Sequence, residues 1–140
     1  MIDVLDAETL KCVQTLDTKG HGVFSSFTDS ETNKVYLGCF GGHLFSVDLQ
    51  SMSMINELYA VGGVKPNKAC SNGNGHLKLT QGIYDITLLP FKPKVLMCVQ
   101  HFGFIDFVAV ESPMTVPAKR NDWLHAIEDC RVQLQTNTIF

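Results

Sequence analysis

The 140-residue sequence lacks most signatures of a catalytic or membrane chain. Its five cysteines, at 12, 39, 70, 98 and 130, include no CxxC pair, which excludes the common zinc and dithiol spacings. Its five histidines, at 21, 43, 76, 101 and 125, fall in no HExxH pattern. No GxSxG elbow surrounds Ser25-Ser26, and the Gly-rich piece "SNGNGHLK" lacks the Gly-Lys-Ser/Thr of a phosphate loop. Lys and Arg number eleven against fourteen acids and form no basic run, so nucleic acid is not the expected partner. No stretch approaches the roughly 20 apolar residues of a membrane helix, and the first residues hold no apolar core of signal-peptide length. There is one Trp, and no catalytic residue, metal site or cofactor is expected. An even mix of apolar and polar residues without a leader points to a cytoplasmic globular chain with reduced thiols.

What is present is a succession of short apolar runs cut by turn residues. "MIDVLDAETLKCVQTL" reads as two strands about a turn in which the Asp6 carboxylate accepts N–H bonds from two or three residues on. "VFSSFT", "KVYLGCF", "HLFSVDL" and "MINELYA" follow as strands, the second dense enough to be buried on both faces and the last a polar outer strand. Gly41-Gly42 marks a hairpin. Residues 61–81 read as one long loop. "IYDITLLP", "VLMCVQ" and "FIDFVAV" resume the pattern. After the Pro-marked "ESPMTVPAKR", "NDWLHAIEDC" carries helix signals, with Asn121 or Asp122 as cap and Trp123, Ile127 and Cys130 on one face, and "RVQLQTNTIF" alternates like a strand. Residues 1–112 are thus the β unit and 113–140 a linker, short helix and final strand.

Two segments repeat. "VFSSFTDSETNKVYLGCFGGHLFSVDL" aligns on "IYDITLLPFKPKVLMCVQHFGFIDFVAV", with Lys34-Val35 and Lys94-Val95 sixty residues apart. Without the extra fifteen residues of the long loop, the unit is forty-five residues, within the 40–45 of four-stranded propeller blades. Gly20-His21 stands ahead of a strand, where WD repeats place a Gly-His pair. "VLDAET", with Asp6, and "SVDL", with Asp48, resemble the Val-Trp-Asp-x-x-Thr close of a third strand, with Leu5 and Val47 in place of Trp. Residues 2–110 therefore resemble a divergent WD-repeat-like β-propeller. The resemblance implies an all-β fold, a partial propeller of four-stranded antiparallel blades. Nine strands amount to about two and a quarter blades, fewer than the four to eight of a closed ring, so a fragment, or self-association through open blade edges, is expected.

The resemblance also implies that residues 17–22, the Gly41-Gly42 turn, the long loop and "QHFG" share one rim. On that rim Phe40, His43, Lys65, Lys68, His76, Lys78, His101 and Phe102 are the candidate partner-binding residues, and the two Phe the candidate aromatic anchors. Asp6, Gly20, His21 and Asp48 are structural repeat positions. His43 and His101, beside equivalent turns, are expected close together on neighbouring blades. The implied function is a non-catalytic scaffold that binds proteins. The alternatives are a piece of a propeller enzyme, or a regulatory propeller fused to a catalytic domain such as a kinase.

Overall fold

A computed structural model describes residues 1–55, 58–60, 77–79, 81–90 and 94–110. Lys65, Lys68, His76, Cys70 and the helix and strand expected over 121–140 lie outside the described residues.

The described residues are all-β, as the alternating runs require, and their strands form three antiparallel sheets. The first is a hairpin of β1 (Ile2–Leu5) and β2 (Cys12–Leu16). The second is a meander of β3 (Val23–Asp29), β4 (Lys34–Cys39), β5 (His43–Asp48) and β6 (Ser53–Ile55). The third orders β7 (Tyr59–Ala60), β11 (Ile105–Ala109), β10 (Val95–Gln100) and β9 (Ile83–Leu88).

The dense run of β4 is buried on both faces because the sheets stack. Alternate residues of a strand face opposite ways, so each side needs its own cover. Leu37, Cys39, Phe45 and Val47 pack with Ile2, Val4 and Leu16 of the hairpin. Tyr36 and Leu44, on the other face, pack with Ile83, Ile86, Leu96, Cys98 and Val108 of the third sheet. Burial drives both thiols up, Cys39 to about 11 and Cys98 to about 12, so each acts as a small apolar filler. Cys12 differs from these two thiols. It is exposed, because its strand is covered on one face only.

The two larger sheets touch where β9, at the edge of the third, lies against β3 and β4 of the second. Gly38 permits a close approach: a Cβ there would lie 2.5 Å from Ile83 Cγ2 and 2.8 Å from its Cβ. Beside it, the Ser25 hydroxyl donates to the Ile83 carbonyl at 3.0 Å.

Two readings change. "MINELYA" is not one strand: Ser53–Ile55 pairs with β5, whereas Tyr59–Ala60 pairs with β11 of the next sheet. Leu58 explains the crossing, since its side chain is buried in the core shared by the two sheets. Residues 61–81 are not wholly loop either. Leu77–Lys78 forms β8, which pairs with His43 and Leu44 of β5, and Leu77 is buried in the same core.

The repeat is also shifted by one residue. Leu49 N–H donates to the Asn33 carbonyl and Val110 N–H to the Lys94 carbonyl, so Lys94 stands where Asn33 stands, sixty-one residues on. Leu96, not Val95, is then the counterpart of Val35, and both face the preceding sheet. Thr28 pairs with Val35 but Leu88 with Leu96, so the connection from β9 to β10 is one residue longer than that from β3 to β4, and the side-chain alternation follows the ladder, not the Lys-Val pair.

Candidate partner-docking site

The rim is built from three backbone junctions. Phe40 N–H donates to the Gly22 carbonyl at 2.8 Å, Leu79 N–H to Gly42 at 2.6 Å and His101 N–H to Gly82 at 3.0 Å. These bonds gather the segments before β3 and β9, the β4–β5 turn and the 3-10 turn η1 (His101–Gly103) at one end of the sheets. Gly82 lets the two turns meet. A side chain there would lie 2.9 Å from His101 Cδ2 and 3.0 Å from the Phe40 carbonyl carbon. Gln100, 2 % exposed, braces the arrangement: its Oε1 accepts Gln81 N–H at 2.9 Å and its Nε2 donates to Asp106 at 2.5 Å.

The result is a cluster of rings about His101. Tyr84 lies 5.4 Å from its centroid, Phe24 and Phe40 6.2 Å each, and Phe102 6.5 Å; Phe24 and Phe40 are 5.5 Å apart. Most of these pairs are edge-to-face, the orientation favoured by the ring quadrupole. Among the described residues His101 Nε2 is buried without a hydrogen-bond partner.

The outer rings are wet. Phe24 is 59 % exposed, Phe40 63 %, Tyr84 67 % and Phe102 90 %. Phe40, Gly41, Gln81, Gly82, His101 and Phe102 line an open depression of about 350 Å³. Phe102 holds a left-handed backbone, φ 65° and ψ 17°, which costs a bulky residue about 1–2 kcal/mol. Strain of that kind persists where surrounding structure enforces it, and Gly103 (φ 80°) completes the turn.

The structure thus brings together Phe40, His101 and Phe102. Phe24 and Tyr84 were missed by sequence reasoning, although each is the second residue of its unit's first strand and they lie sixty apart, an aromatic repeated at one place in both units. His43 does not join them. It is buried and stacks on His21 with centroids 3.6 Å apart, beside Phe45, so the two turn-flanking histidines sit in different ring clusters. Lys78 is exposed on β8, opposite His43.

The repeat positions have local roles. Asp6 Oδ1 accepts N–H bonds from Glu8 and Thr9 and the Thr9 hydroxyl. Asp48 Oδ1 accepts Gln50 and Ser51 N–H. Both carboxyls are held below the usual carboxylate range, first by the backbone bonds from Thr9 and Ser51 respectively. Asp48 therefore closes its own turn, and His21 packs on the ring of His43. Gly20, φ 80°, turns the chain into His21. No group of three or more His, Cys, Asp or Glu among the described residues is placed to hold a metal ion. No described helix is long and apolar enough to cross a membrane.

Comparison with protein-family models, curated proteins and solved structures found no match for the chain.

Proposed function

We propose that the stacked sheets are blades of a WD-repeat-like β-propeller and that the chain is a non-catalytic interaction module, docking a protein partner on its aromatic rim in the cytosol. The observation that carries the reading is the exposed cluster of Phe24, Phe40, Tyr84 and Phe102 around His101. Large apolar rings held in wet, partly strained positions offer contact area at small entropic cost, and binding hot spots favour such anchors. The propeller part of the reading draws support from the second and third sheets, each apolar on both faces, and from the bonding of the inter-strand turns into one rim.

The test is site-specific photo-crosslinking in cells. A benzophenone amino acid placed at Phe40 or Phe102 should give a discrete crosslinked protein, and the same group at exposed Glu8 should not. Equal labelling at all three positions, or none at the two aromatics, would remove the rim as a docking site.

A further inference from the structure

The repeat shows one place filled in the second sheet and open in the third. Gly42 and Gly103 are counterparts sixty-one residues apart, both left-handed, with φ of 86° and 80°. His43 and Leu44 of β5 correspond to Phe104 and Ile105 at the start of β11. In the second sheet β8 covers this corner: Lys78 pairs with His43, Leu77 with Leu44, and Leu79 N–H donates to the Gly42 carbonyl. His43 and Leu44 are accordingly 6 % and 1 % exposed. Phe104 and Ile105 are 55 % and 51 % exposed. A Cβ on Gly42 would strike the Leu79 carbonyl oxygen and lie 2.9 Å from that of Gln81, whereas one on Gly103 would meet no atom of the described residues within 4 Å.

The ladder makes this edge chemically receptive. Gln100 N–H donates to the Phe104 carbonyl and Val110 N–H to that of Lys94. The antiparallel alternation then turns the N–H and C=O of Ile105 away from β10. Among the described residues β7 pairs with β11 at Val108 and Ala109. From Gly103 to Ile105 the strand edge has no partner among the described residues, and such edges pair with extended chains.

We infer that the edge of β11 at Gly103–Ile105 is a strand-addition site for an extended segment of a partner protein, bound antiparallel as β8 is bound to β5. The filled counterpart defines the ligand. An apolar side chain lies opposite Ile105, as Leu77 lies opposite Leu44, and two residues on an N–H reaches the Gly103 carbonyl. A basic or hydroxyl residue next to the apolar one suits Asp106. In a second copy the segment of this kind among the described residues, Leu77–Lys78, is already paired with β5. The inference rests on the repeat and is independent of the aromatic cluster.

The test uses the full chain and a labelled synthetic peptide with the sequence of residues 75–82, followed by amide exchange and fluorescence anisotropy. In the dilute free chain the Ile105 amide should exchange fast and the Leu44 amide slowly. Saturating peptide should slow Ile105 by about tenfold or more and leave Leu44 unchanged. Ile105→Pro, which removes only an outward N–H, and Ile105→Lys should abolish peptide binding, while Phe40→Ala with Phe102→Ala should bind like wild type. Three results would overturn the inference. An Ile105 amide already as slow as that of Leu44 would mean the chain covers its own edge. Slowing with protein concentration alone would mean a second copy does. Peptide that fails to bind, or binds Ile105→Pro equally, would mean the edge is not a site.

Discussion

Lys94, at the start of the third sheet, reaches across to the second and places its Nζ 3.0 Å from Asp29 Oδ2 and 2.7 Å from Glu31 Oε2. Asp29 is 4 % exposed, whereas the Glu31 side chain is 73 % exposed. The two carboxylates therefore contribute differently. Lys94→Met should cost about 2–4 kcal/mol, because it strips the buried Asp29 of its cation. Glu31→Gln should cost less than about 0.5 kcal/mol, because solvent already screens that pair. Urea denaturation of the single variants, with Asp29→Asn and the Asp29→Asn/Lys94→Met double variant, separates the pair energy from the penalty of orphaning one partner.

The same pair gives a pH dependence. Burial alone would raise the Asp29 carboxyl, but the Thr32 hydroxyl, the Lys94 ammonium and the Glu31 N–H together outweigh it and hold it below its ordinary 3.8. A carboxyl depressed in the fold stabilises it above the unfolded value and loses that contribution as pH falls through the folded one. Stability should thus be flat near neutrality and decline below about pH 4, and Asp29→Asn should flatten that acid limb. An unchanged limb in the variant would assign the acid sensitivity to other carboxylates.

Three glycines should respond to alanine in a graded way. Gly38→Ala meets Ile83 between two sheets and should cost about 1–3 kcal/mol or more, with no change in backbone preference. Gly42→Ala adds a left-handed residue to a clash with two backbone carbonyls, and should be the worst. Gly103→Ala pays only for its positive φ, about 1 kcal/mol, since its surroundings are open. Thermal melts rank the three, and a Gly103→Ala as damaging as Gly42→Ala would mean that the third-sheet corner is filled.

How much of this was legible in the sequence follows from what local pattern encodes. The strands from Ile2 to Asp48 and from Ile83 to Ala109 are visible because alternation and turn residues such as Asp6, Asp48 and Gly42 are local signals. Phe40 and Phe102 stood out because they flank turns. The crossing at Leu58 and the pairing of Leu77–Lys78 with β5 were invisible, because each depends on burial between sheets that are remote in sequence. The one-residue shift at Lys94 was hidden by the matching Lys-Val pairs: the apparent equivalence was compositional, and the ladder decides which face a residue takes. The burial of His43 follows from β8, which sequence assigned to a loop.

Phe102 offers the sharpest separation of stability from binding. Its ring is 90 % exposed, so removing it forfeits little buried area. Its backbone is left-handed, where a bulky residue is disfavoured and glycine is not. Phe102→Gly should therefore leave stability unchanged or raise it by up to about 1 kcal/mol, the relief of strain being partly offset by the greater freedom of the unfolded chain. Phe102→Ala keeps the disfavoured backbone and should be slightly less stable than Phe102→Gly. Both should lose the protein captured by crosslinking from Phe40, because the depression between the two rings would lose one wall. A Phe102→Gly chain that melts higher and captures nothing is the signature of a residue kept for binding at a cost in stability. One that melts markedly lower would assign the ring a structural role in holding His101 and the turn.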